Sequence, residues 1–198
     1  VMGGLARVMK PTKFEILSSG QDGKAVLRVE GEGQPFSILE GALENYSFVA
    51  DADVKFIVEY ALEPNSSLLE ITTTLEWYDD ETFIPLANIF LLGKEALDSW
   101  APAGGLNEKG DLSWLGVVAK DNSVSLAMLS SSSPFVENPI QEIIESATPS
   151  LVTFTETVNL NAGDSHSYVQ WLGVGSDLST LTDEWYQREG QETTNVSG

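Results

Sequence analysis

The sequence predicts an all-β fold: a two-sheet antiparallel β-sandwich with one short C-terminal helix. Three observations carry this. Residues 54–78 alternate apolar and polar side chains in two arms about a proline turn, two later stretches repeat that form, and helical spacing is confined to one short turn and the C-terminal region.

The arms of 54–78 are the firmest elements. Val54, Phe56, Val58 and Tyr60 share one face of the first arm, with Lys55 and Glu59 on the other. In the second, Leu69, Ile71, Thr73, Leu75 and Trp77 alternate with Glu70, Thr72, Thr74 and Glu76. Between them Glu63-Pro64-Asn65-Ser66-Ser67 fixes one φ and offers side chains that bond to nearby backbone, so the chain reverses there. A long hairpin near the centre of a sheet is expected.

Taken in order, 5–9 and 13–17 are candidate opening strands, and 18–23 is a turn ending in Asp22-Gly23. Residues 24–30 alternate, with Ala25, Leu27 and Val29 on one face. Gly31-Glu32-Gly33 reads as a break before a weaker strand at 35–39, and 40–53 as a connection. After the polar turn 78–82, the nearly continuous apolar run 84–93 fits a strand buried on both faces, with a buried helix as the alternative. Residues 94–111, with Trp100-Ala101-Pro102-Ala103-Gly104-Gly105, are expected to form a long surface loop.

A second hairpin is predicted from 112–119 and 123–129 about Lys120-Asp121-Asn122, and a helical turn at 139–145. A third hairpin is predicted from 151–160 and 167–174 about Asn161-Ala162-Gly163-Asp164. Leu178, Leu181 and Trp185 at i, i+3 and i+7 after Ser176-Asp177 predict a capped helix. Residues 1–189 are read as one β-sandwich domain, and 190–198 as a linker toward a possible following domain.

Composition narrows the function classes. The chain has 198 residues, 42% hydrophobic, with 10 Lys and Arg against 30 Asp and Glu, a net charge of −20. Such a field repels phosphate backbones and anionic lipid, so nucleic acid and membrane surfaces are not expected partners. No apolar run approaches the length of a membrane-spanning helix. The opening Val1-Met2-Gly3-Gly4-Leu5 lacks the form of a signal peptide, which fits an intracellular protein or a mature or excised piece. With no cysteine there is no disulfide, thiolate metal site or cysteine nucleophile.

Few residue patterns carry chemistry. His166 stands alone, without the further nitrogen or sulfur ligands zinc needs, and Gly-x-Ser-x-Gly is absent. Carboxylates cluster at Asp79-Asp80-Glu81 and Asp51-Ala52-Asp53, and Asp98 lies in the long loop; such groups serve glycoside hydrolysis only across a cleft. Calcium would find oxygen ligands, but EF-hand spacing is missing and Asp22-Gly23 alone does not define a site. The candidate ligand contacts are Trp77, Trp100 and Trp114, since flat rings pack on sugars, with ordinary core packing as the plainer role. No catalytic, cofactor or metal residue is assigned. The sequons at Asn45, Asn65 and Asn195 imply nothing if the source is bacterial.

Several phrases together resemble a known family: Gly3-Gly4, Ser19-Gly20-Gln21-Asp22-Gly23-Lys24-Ala25-Val26-Leu27-Arg28, Glu59-Tyr60-Ala61-Leu62-Glu63-Pro64-Asn65-Ser66 and Leu69-Glu70-Ile71-Thr72-Thr73-Thr74-Leu75. Leu160-Asn161-Ala162-Gly163-Asp164-Ser165 and Trp171-Leu172-Gly173-Val174-Gly175-Ser176-Asp177-Leu178 extend the likeness. They resemble the galactose-mutarotase-like supersandwich domain found in the N-terminal part of multidomain secreted bacterial proteins. The resemblance implies an extracellular or periplasmic location, neighbouring domains on the same chain as partners, and a link to carbohydrate. Aldose 1-epimerases of this fold rely on two histidines and a carboxylate; one histidine here puts mutarotase activity in doubt. The expectation is a non-catalytic module, structural or carbohydrate-interacting. Its rivals are a carbohydrate-active enzyme using carboxylates such as Asp79, Asp80 or Asp98, and a calcium-stiffened adhesin segment.

Overall fold

The computed structural model describes residues 7–35, 53–79, 82–91, 97–100, 113–119, 121, 123–130, 135–136 and 150–191. The fold is mostly antiparallel β-sheet with one C-terminal helix. Ten strands are described: β1 Arg7–Ser19, β2 Ala25–Pro35, β3 Val54–Leu62, β4 Leu68–Trp77, β5 Thr82–Leu91, β6 Leu97–Trp100, β7 Trp114–Ala119, β8 Ser125–Leu129, β9 Ser150–Leu160 and β10 Ser165–Gly175. Helix α1 is Leu178–Arg188. Eight strands form one sheet in the order β1-β2-β3-β4-β10-β8-β7-β6, and β5 and β9 form a second.

The 54–78 hairpin is β3–β4, paired from Val54↔Trp77 to Leu62↔Leu69. At its tip Asn65 takes the left-handed conformation, φ 61°, and the Ser66 N–H donates to the Glu63 carbonyl at 3.2 Å. β4 and β10 sit at the middle of the large sheet. β7 and β8 form the second expected hairpin, Trp114↔Leu129 to Val118↔Ser125.

Four elements depart from the sequence reading. The two opening strands are one, β1, which runs through Pro11; a proline is tolerated because β1 is an edge strand. Gly31 and Gly33 do not break β2. A Cβ at Gly31 would strike the Lys10 carbonyl and one at Gly33 would strike Val54, so these glycines permit close strand packing instead. The stretch expected as a loop holds β6, four residues pairing Leu97↔Ala119 to Trp100↔Gly116 at the other edge.

The fourth is the third hairpin. β9 and β10 are joined at 161–164 as expected, yet they belong to different sheets: β9 pairs with β5, and β10 with β4 and β8. The turn is tied to β4 instead. The Trp77 N–H donates to the Asp164 carbonyl at 2.9 Å, and the Gly163 N–H to the Trp77 carbonyl at 2.7 Å. That delivers β10 beside β4. The strand reading of 84–93 is met over 84–91 by β5, while the expected helical turn at 139–145, the expected strand at 35–39 beyond Pro35, and the connection at 40–53 up to residue 52 lie outside the described residues. Of the expected linker, residues 190 and 191 are described.

Two apolar layers position everything else. On the inner face of the large sheet, Val54, Leu75, Trp77 and Tyr168 pack against Leu86 of β5 and Leu160 of β9. On the outer face α1 seats Leu181 and Trp185 against Leu68, Ala127, Leu129 and Trp171. The rest of the outer face, over β1–β4, is a lattice of charges. Lys13 bridges Glu15 and Glu30 at 2.9 and 3.0 Å, Lys55 bridges Glu30 and Glu76 at 3.2 and 3.7 Å, and Arg28 pairs with Glu59. The bonds from Lys13 and then Lys55 hold the Glu30 carboxyl below its usual range. Pairs this exposed add little stability each, so the lattice mainly keeps one face of the strands wetted.

Candidate binding face

The inner face is a different surface. Strand pairing puts Phe14, Val29, Val58, Thr73 and Tyr168 in one row across β1, β2, β3, β4 and β10, and Ile16, Leu27, Tyr60, Ile71 and Gln170 in the next. Where β5–β9 covers the sheet the row is buried: Tyr168 lies in the core and its hydroxyl bonds to Thr73. Loss of solvent pushes that phenol up to about 12. Toward β1 the same rows emerge into solvent. Phe14 is 67% exposed and Ile16 74%, and Leu62, one row further along β3, is 41% exposed.

These side chains gather at one end of the sheet. With strands about 4.8 Å apart and residues about 3.3 Å apart along them, Phe14, Ile16, Leu27, Tyr60 and Leu62 span roughly 10 Å by 13 Å. All stand on paired strands, so the surface is preformed. Tyr60 is half-buried among them and burial raises its phenol above the ordinary value, so it stays a neutral hydroxyl that both donates and accepts. Among the other large exposed apolar side chains, Tyr78, Val124 and Val174 lie apart from this group.

The residues singled out by sequence fall elsewhere. Trp77 is 3% exposed within the inner core and presents no free ring face. Trp114 is half-buried beneath α1, its indole N–H donating to the Tyr186 hydroxyl at 3.3 Å. Trp100 ends β6, and its side chain lies outside the described residues. Of the two carboxylate clusters, Asp53 and Asp79 are described and lie side by side. Asp79 accepts the backbone N–H of Asp53 at 2.8 Å as a local tie between β3 and β4, Asp98 is on β6 across from Val118, and Asp51 and Asp80 are outside the described residues. His166 is half-buried on β10, its ring centroid 6.1 Å from that of Tyr168. Among the described residues no three His, Cys, Asp or Glu side chains are grouped to hold a metal, and no helix is long and apolar enough to cross a membrane.

Phe14 and Ile16 were not singled out by sequence. Their signal is present, since Lys13-Phe14-Glu15-Ile16 alternates in period two, but alternation gives a face and not what covers it.

No protein-family model matches the chain, and neither does any curated protein sequence. Solved structures do match. The Slr1438 protein from Synechocystis sp. PCC 6803 is similar at 10% identity and TM-score 0.46, over 83% of this chain and 66% of that one. A human-microbiome protein assigned as a kojibiose phosphorylase is similar at 13% identity and TM-score 0.44, over 92% of this chain and 23% of that one. A protein of Escherichia coli K12 assigned as an aldose 1-epimerase is similar at 12% identity and TM-score 0.39, over 83% of this chain and 69% of that one. The chain therefore spans less than two thirds of the length of the first two. At these identities, and with TM-scores below 0.5, no activity, substrate or partner is read from the likeness; the fold class rests on the strand pairing.

Proposed function

We propose that the chain is a non-catalytic β-sandwich module of a larger extracellular bacterial protein, binding carbohydrate on the open end of its inner sheet face. The observation that carries this reading is the placement of exposed Phe14 and Ile16 beside Leu27, Tyr60 and Leu62 on three paired strands. A small apolar patch held rigid by strands offers a partner a preformed surface that loses little order on binding. An aromatic ring gives a sugar's C–H face a flat support, and the Tyr60 hydroxyl supplies a polar anchor. The net charge of −20 selects against anionic glycans and for neutral ones.

The test is titration of the domain with a panel of neutral oligosaccharides, followed by calorimetry or chemical-shift mapping. Binding is expected to perturb β1–β3 resonances, and Phe14→Ala is expected to weaken it by about tenfold, equivalent to roughly 1.4 kcal/mol. No response to any sugar, or an affinity indifferent to Phe14→Ala, would remove the carbohydrate reading and leave a structural module.

A further inference from the structure

We propose that β1 is also a self-association edge, pairing antiparallel with β1 of a second copy about a two-fold axis at Phe14. β1 is the last strand of its sheet: it pairs with β2 and, among the described residues, with no strand on its other side. Such an edge presents unpaired N–H and C=O groups that can take an added strand. Pro11 and the irregularities at Pro11/Lys13 and Ile16/Ser18 keep the whole length of the edge from pairing. Between them remains one regular stretch, Lys13-Phe14-Glu15-Ile16, and it is complementary to itself.

In the register centred on Phe14, each Lys13 lies across from Glu15 of the other copy, and Phe14 lies across from Phe14. Shifting the centre by one residue sets Lys13 against Lys13 or Glu15 against Glu15, like charges that destabilise a cross-strand pair. Charge therefore selects the register. The side chains of Lys13 and Glu15 are 54% and 45% exposed, so pairing exchanges their 2.9 Å bridge within one copy for bridges between copies. β1 holds three of the chain's 10 basic residues and one of its 30 acids, so the acidic field that drives copies apart is weakest at this edge. Residues facing each other across strands share a face, so pairing joins the two exposed inner-face patches into one strip. The interface is small, and a dissociation constant on the order of 100 µM is expected.

The experiment is sedimentation equilibrium of the full chain from about 10 µM to about 1 mM, at about 0.15 M salt to screen the net charge. The wild type is expected to pass from monomer to dimer. Lys13→Glu and Glu15→Lys each place like charges at both facing positions and should each weaken the dimer about tenfold. An equimolar mixture of the two variants restores opposite charges at both positions and should recover a heterodimer near wild-type affinity. A misfolded variant would not be rescued by mixing, and circular dichroism melts check each variant separately. A wild type that stays monomeric throughout, or a mixture no tighter than its components, overturns the proposal. Neither result bears on sugar binding by the monomer, which is read below the dimerisation range.

Discussion

Replacing Asp177 with alanine tests how α1 is held, and its effect should depend on pH in a direction the structure fixes. Asp177 precedes the helix with extended backbone, φ −151° and ψ 156°. Its carboxylate accepts from the Ser179 hydroxyl at 2.7 Å, the Thr180 N–H at 2.8 Å, the Ser176 hydroxyl at 3.0 Å and the Thr180 hydroxyl at 3.1 Å. These donors, the Ser179 hydroxyl foremost, hold the carboxyl well below its ordinary range. Loss of an N-cap costs about 1 kcal/mol, within roughly 0.5–2. Because α1 carries Leu181 and Trp185 into the core, that cost should appear in global unfolding and not as local fraying. With a urea slope of about 1–3 kcal/mol/M, the midpoint should fall by roughly 0.3–1 M. The folded pKa lies below the unfolded one, so the carboxylate's contribution is complete above the unfolded value and is lost as pH falls through the folded one. The gap between wild type and Asp177→Ala should thus be widest near pH 7 and narrow below about pH 4, whereas Asp177→Asn, which keeps an acceptor but not the charge, should show little pH dependence. Tryptophan fluorescence during urea unfolding at several pH values reads both quantities. An unchanged midpoint at neutral pH, or a gap that stays constant into acid, would refute the capping argument.

Two further perturbations probe the two layers. Leu181 is fully buried, with methyl groups close over Gly173 and Gly175, and Leu181→Ala should destabilise by about 2–5 kcal/mol in denaturant unfolding; a loss under about 1 kcal/mol would mean α1 is not seated on the outer face. Tyr168 has its phenol raised from 10.0 to about 12, so its stabilising contribution is present below the unfolded value and lost as pH rises through the folded one. Tyr168→Phe should flatten the alkaline decline in melting temperature over that interval and cost about 1 kcal/mol at neutral pH by leaving the Thr73 hydroxyl unpaired; an alkaline limb identical to wild type would assign it to other groups.

What was legible in the sequence was whatever is decided locally. The β3–β4 hairpin, the β7–β8 hairpin and α1 each rest on alternation, a turn residue or a cap within a few positions, and each is present, with the expected residues of β3–β4 and α1 in the core. What was not legible depends on partners far along the chain. The turn at 161–164 has hairpin chemistry, yet the choice between pairing β10 with β9 or with β4 is made by Trp77, 84 to 87 positions away, whose backbone binds both Gly163 and Asp164. Gly31 and Gly33 carry the same ambiguity. A glycine marks either a turn or a close approach, and only the neighbouring Lys10 carbonyl and Val54 show which.

The candidate site repeats this lesson one level higher. Aromatic residues near strand ends are a reasonable first choice for sugar contacts, but Trp77 is where the two sheets meet and is consumed by the core. The decisive quantity is how far the covering layer extends. The β5–β9 pair packs over β3, β4 and β10 through Leu86 and Leu160, while the inner-face rows continue outward through β2 to β1. Apolar residues in those rows follow the same alternation whether covered or not, so Phe14 and Val58 read alike in sequence although one is 67% exposed and the other buried. An eight-stranded sheet partly covered by two strands leaves an apolar margin as a consequence of its geometry. On β1 that margin carries Phe14 and Ile16, alternating with Lys13 and Glu15 on the opposite face. The exposed Phe14 and Ile16 lie in that margin while Trp77 and Trp114 are packed, and this is the physical reason for proposing recognition on β1 to β3 and not on those two tryptophans.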